Sequence, residues 1–203
     1  MASSENQFIL RRIHSMLGVI PIGIFLIQHL VINHFATISP EAFNKASDFM
    51  WNLPFKIVLE VVIIYIPILF HAIYGLYIAF TAKENVGRQS LFRNWMFLFQ
   101  RITGVITFVF IAIHLWQTRI QRALGHEVNF DMVHDIVTNP GWLIFYIVCL
   151  LAVTFHFANG LWSFGVTWGI LQSKKSQQIF TWVSLVVFIV VSYIGISAIL
   201  AFL

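Results

Sequence analysis

An all-α integral membrane fold of five transmembrane helices is what this sequence predicts, and three observations carry the prediction. Of 203 residues, 59% are hydrophobic and only 10% are charged, against about 25% charged in a soluble domain. The mean hydropathy is +0.85. Five stretches reach the ~20 mostly apolar residues that a bilayer-spanning helix needs.

Span I is read over residues 15–35, span II over 55–79, span III over 95–117, span IV over 142–170 and span V over 179–202. Residues 1–7 are polar, and the first apolar run follows Arg11 and Arg12 without a small-residue cleavage site, so span I is expected to stay in the membrane. Pro21 and Pro67 fall inside spans, where neighbouring helices tolerate kinks. Trp51, Trp95, Trp116 and Trp142 stand near span ends, as interfacial tryptophans do. Polar segments at residues 39–52 and 119–140 join I to II and III to IV. Nothing marks a second domain, so residues 1–203 are read as one. The single cysteine, Cys149, excludes an internal disulfide and any iron–sulfur or zinc cluster built from cysteines. The net charge of +4 reads as loop charge near anionic lipid, with no nucleic-acid surface.

Lys and Arg set the orientation. With the N-terminus cytoplasmic, Arg11, Arg12, Lys83, Arg88, Arg93, Arg101, Lys174 and Lys175 lie inside, and Lys45, Lys56, Arg119 and Arg122 lie outside. Eight against four predicts N-terminus in and C-terminus out.

Four of the eight histidines fall within spans I to IV, one per span: His29, His71, His114 and His156. Span V has none. A single intramembrane histidine reads equally well as an interhelical hydrogen bond. One on each of four helices points to a shared functional role. His29 and His114 are 85 residues apart, and so are His71 and His156. At that offset Phe25 maps to Phe110, Leu30 to Leu115, Phe70 to Phe155, Gly75 to Gly160 and Leu76 to Leu161. Spans I–II therefore read as a copy of III–IV, related by an axis along the membrane normal. Symmetry mates share a depth and face each other. This predicts an outer pair, His29 with His114, and an inner pair, His71 with His156.

Zinc or copper would want three or four close ligands. Two opposed imidazoles suit a haem iron, whose ring supplies the other four bonds. The expected cofactors are thus two haem b groups, inside a four-helix bundle of spans I to IV. Gly75 and Gly160, four residues after their histidines, are read as room for haem packing, and Phe25 and Phe110 as porphyrin contacts. His34 is turned ~140° from His29 and faces elsewhere. His126 and His134 are read as solvated in the outer loop. Arg11, Arg12, His14, Arg93 and Arg101 are candidates to meet haem propionates at the inner surface, with positive-inside anchoring as the plainer role. Glu60, an acid inside span II, is a candidate quinone-site residue, or a partner of Lys56 or of loop water.

Several segments carry a family resemblance: Arg11-Arg12-Ile13-His14-Ser15, Gly23-Ile24-Phe25-Leu26-Ile27-Gln28-His29-Leu30, Asn33-His34-Phe35-Ala36-Thr37, Phe92-Arg93-Asn94-Trp95-Met96-Phe97 and Phe155-His156-Phe157-Ala158-Asn159-Gly160-Leu161-Trp162. Over essentially its full length the chain resembles the cytochrome b558 membrane anchors of Bacillus-type succinate:menaquinone oxidoreductases. The resemblance implies a dihaem subunit in the bacterial cytoplasmic membrane. It also implies a flavoprotein and an iron–sulfur partner on the cytoplasmic face, and menaquinone reduced near the outer surface with protons from outside. Two other readings compete: the dihaem anchor of another quinone-linked dehydrogenase, and a transporter using histidines for protons or metals.

Overall fold

The computed structural model describes residues 4–83 and 86–203. Helices account for every regular element among them. Five helical runs are long and apolar enough to cross a membrane: Glu5–Thr37, Lys56–Thr81, Phe92–Ala123, Pro140–Thr167 and Lys174–Leu200.

Span I is two helices, Ser4–Val19 and Pro21–His34, broken at Ile20. Proline has no N–H, and its ring crowds the carbonyl four residues back, so the helix restarts there. The helix begins well before residue 15, where the apolar run was read to start. Arg12 supports this extension, with its guanidinium 4.5 Å from the ring centre of Phe8 and 5.1 Å from that of Trp168. Span II widens to a π-helix over Glu60–Tyr65, just ahead of Pro67. Span III widens over Trp116–Ile120 and continues to Ala123, beyond its expected end at residue 117. Such widenings often mark functional sites.

Two surface helices, α1 (Pro40–Trp51) and α2 (Phe130–Val137), cover the end of the bundle where the C-terminus lies. Ser39 caps α1 by accepting from the amide of Ala42 at 3.1 Å, and Asn129 caps α2 through Met132 at 3.1 Å. Phe43 of α1 meets Phe202 edge-on at 4.9 Å, and Ala36 and Val137 complete a buried cluster with them. His134 donates from Nδ1 to the carbonyl of Phe202 at 2.6 Å. This corrects its reading as a solvated loop residue: the Phe202 carbonyl, just past the end of span V, accepts its hydrogen bond.

Spans I to IV form a closed four-helix bundle in which I touches II, II touches III, III touches IV and IV touches I. Span V packs outside, against I and IV. Its contact face is small and polar, as membrane helix interfaces are. Ser192 meets Thr154 at 2.7 Å, and a Cβ on Gly195 would lie 2.7 Å from Leu150. His34 lies on this seam, its Nδ1 3.3 Å from the carbonyl of Ile194 and 3.1 Å from the Ser197 hydroxyl.

Candidate functional site

Within the bundle, I lies diagonal to III, and II to IV. The four histidines use both diagonals. His29 and His114 have ring centres 5.7 Å apart, with planes at 76°. His71 and His156 are 6.1 Å apart, at 84°. A metal–imidazole bond of about 2.0–2.1 Å and a ring radius of about 1.2 Å put two trans ligands ~6.4 Å apart between centres. Both pairs sit near that spacing, so the residues fit a group held between two imidazoles. Among the described residues no three His, Cys, Asp or Glu side chains converge as a self-sufficient metal site. The His71–His156 pair lies toward the N-terminal end of the bundle (the N side). The His29–His114 pair lies toward the C-terminal end (the C side).

On the N side both imidazoles are tied to main chain. His71 donates from Nδ1 to the carbonyl of His14 at 2.9 Å, and His156 from Nδ1 to that of Gln100 at 3.0 Å. A carbonyl only accepts, so Nδ1 carries the proton and Nε2 keeps its lone pair for a metal. The Gln100 amide donates to the carbonyl of His156 at 3.0 Å and accepts from Asn159 at 2.7 Å. His14 lies flat on His71, ring centres 4.1 Å apart and planes within 3°. It is thus part of the histidine cluster itself, beyond the surface role expected of it.

On the C side the ties are side chains. Tyr146 donates its hydroxyl proton to Gln117 at 2.8 Å, so its oxygen is left to accept from His114 Nδ1 at 3.3 Å. The Asn33 amide lies 3.3 Å from His29 Nε2 and donates to the His29 carbonyl at 2.8 Å. Phe25 and Phe110 each hold their ring 5.6 Å from the histidine one turn on, repeating the internal symmetry.

A Cβ on Gly75, a candidate for haem packing, would lie 3.1 Å from His14 Nε2, and one on Gly160, the other candidate, 3.5 Å from Gln100 Nε2. Each makes room for the side chain whose carbonyl ties a histidine. The expected propionate contacts are all on the N side but are spread out. Arg11 is exposed. Arg12 reaches the carbonyl of Thr167 at 3.4 Å. Arg93 lies 3.7 Å over Trp162 and bonds Thr181. Arg101 reaches the carbonyl of Ala82, at the end of span II, at 2.5 Å.

Glu60 is on the C side, in an ion pair with Arg119 at 3.2 Å. Lys56 sits instead over the Trp51 ring, 2.8 Å from its centre, which Arg122 also approaches at 3.7 Å.

A family model described as the succinate dehydrogenase/fumarate reductase transmembrane subunit matches residues 81–194. Over 200 residues the chain is 56% identical to the succinate dehydrogenase cytochrome b558 subunit of Bacillus subtilis (strain 168), covering 98% of this chain and 99% of that one. The chain belongs to the succinate dehydrogenase/fumarate reductase transmembrane subunit family. It is also 35% identical over 63 residues to the succinate dehydrogenase hydrophobic membrane anchor subunit of Thermoplasma acidophilum, covering 30% of this chain and 50% of that one. Membership agrees with the five spans and makes this a multi-pass membrane subunit of that enzyme class.

The spacing of the histidines did not reveal the groups that tie them, the carbonyls of His14 and Gln100 and the Tyr146 hydroxyl, or the glycines Gly18 and Gly104 packed against their rings. One signal was available. Gly18-Val19-Ile20 recurs as Gly104-Val105-Ile106, at an offset of 86 and not 85. The extra residue between Gly18 and His29 is absorbed at the Ile20 break.

Proposed function

We propose that this subunit is the membrane anchor and electron-transfer subunit of a succinate:menaquinone oxidoreductase, holding two haem b groups. His71 and His156 would hold one, and His29 and His114 the other. The reading is carried by a single observation: two diagonal histidine pairs, with ring centres 5.7 and 6.1 Å apart, at two depths of one bundle. It is supported by the relative whose name is a cytochrome b558 subunit.

Haem b bound at each level supplies a one-electron carrier. The protein's own part is to fix the ligands and exclude water. Main-chain carbonyls of residues 14 and 100 hold the N-side imidazoles as Nδ1–H tautomers. Tyr146 does the same for His114. With the N-terminus cytoplasmic, the N-side pair faces a flavoprotein and an iron–sulfur partner, which oxidise succinate and pass electrons on. The C-side pair is then the outer one. Menaquinone is the substrate there. It takes two electrons and two protons to become the quinol, and Glu60, beside Arg119, is the nearest acid in a span to hold or hand on a proton.

A dithionite-reduced minus oxidised absorption spectrum of the purified protein, with haem quantified against protein, tests the reading. Two low-spin b haems per chain are expected. A folded but colourless protein would sink it, in favour of a transporter or a purely structural anchor.

A further inference from the structure

Each N-side histidine has a glycine at its back. A Cβ built on Gly104 would lie 2.9 Å from Cε1 of His156 and 3.2 Å from its Nδ1. One built on Gly18 would strike Cε1 of His71 and come within 2.7 Å of its Nδ1. These glycines belong to spans I and III, which supply no histidine to this pair. Each stands four residues after the carbonyl that accepts the imidazole hydrogen bond: Gly18 after His14, and Gly104 after Gln100.

That spacing has a physical meaning. In an α-helix the carbonyl of residue i already accepts from the amide of residue i+4. A carbonyl oxygen has a second lone pair, but the side chain at i+4 stands over it. Glycine there leaves the oxygen open to a donor from another helix. The two copies of the bundle present the same device: an open carbonyl, a glycine one turn later, and an imidazole seated in the notch. The C side is built differently: His114 is tied at Nδ1 through the Tyr146 hydroxyl, a side chain.

We infer that Gly18 and Gly104 are positioning residues of the N-side pair, each opening a main-chain carbonyl that fixes the tautomer and direction of one ligand imidazole. The inference rests on the haem reading above for its consequence, and on the notch geometry alone for its structure.

The test uses the full-length protein, with haem content and difference spectra recorded for Gly104→Ala, Gly18→Ala and the control Gly87→Ala. A methyl group at Gly104 or Gly18 is expected to weaken haem retention at the N-side site ~10–100-fold, the range for lost ligand-orienting partners. The C-side haem should stay at full occupancy, which also certifies the fold. Gly87→Ala, where an added Cβ meets nothing within 4 Å, lies outside the site and should keep both haems. Full occupancy of both sites in Gly104→Ala and Gly18→Ala overturns the inference. So does equal loss from both sites, which would make the glycines general packing residues. A wild-type protein without haem would sink the haem reading instead. The notch is then read from ¹⁵N resonances of the histidines: Gly104→Ala should release Nδ1 of His156 and leave His71 unchanged, and an unmoved His156 signal refutes it.

Discussion

The two histidine pairs share one internal symmetry but are secured by different means. On the N side the imidazoles are tied to the carbonyls of residues 14 and 100. On the C side His114 relies on Tyr146, itself anchored on Gln117. A main-chain acceptor survives almost any substitution of its own residue, whereas a side-chain tie is lost with one mutation. The N-side pair is therefore the fixed one. The C-side pair can be retuned by side-chain changes, and it lies on the side of the bundle that carries Glu60 and Arg119.

The hardest blow to this comparison is ligand removal. His71→Ala and His29→Ala should each delete one haem and leave the other. Haem stoichiometry and difference spectra read this directly, and loss of both in either variant would show that the levels are not independent. Next comes Glu60→Gln, expected to slow quinone reduction roughly 10²-fold, the lower range for a lost proton-transfer group, with both haem spectra intact. Normal quinone turnover in that variant removes Glu60 from the chemistry. Tyr146→Phe should weaken haem retention on the C side alone, by ~10-fold, as followed by haem loss on dilution. An equal effect on the N-side haem contradicts the division of labour. The smallest effect is expected from Thr154→Val, which removes the bond to Ser192 between spans IV and V. It should cost about 0.6 kcal/mol of stability in a denaturation series and move neither haem.

Much of this was legible in the sequence because the informative residues obey simple periods. Five apolar runs gave the spans, and one offset of 85 paired His29 with His114 and His71 with His156. What was hidden depends on departures from those periods. The break at Ile20 shifts the offset by one, so Gly18 and Gly104 do not align and His14 does not register with Gln100. Glu60 was weighed against Lys56, one helical turn away. Lys56 lies over the Trp51 ring, and the ion pair is made by Arg119, which arrives because span III stays helical through its π-turn past residue 117. His134 looked solvated because no local pattern announces the Phe202 carbonyl as its partner.

The stacking of the pairs also has an electrical consequence. Gly104, beside His156, and His114 are ten residues apart on the unbroken helix Phe92–Leu115, a rise of about 15 Å. That is roughly half of the ~30 Å hydrocarbon thickness. One charge crossing the whole membrane exchanges about 2.3 kcal/mol per 100 mV with the transmembrane voltage, so an electron stepping between the levels exchanges about half of that. In the proposed orientation it moves from the negative cytoplasmic side toward the positive outer side. The membrane voltage would then draw electrons toward the quinone, and the energised cell would tilt this subunit's equilibrium even with every side chain unchanged.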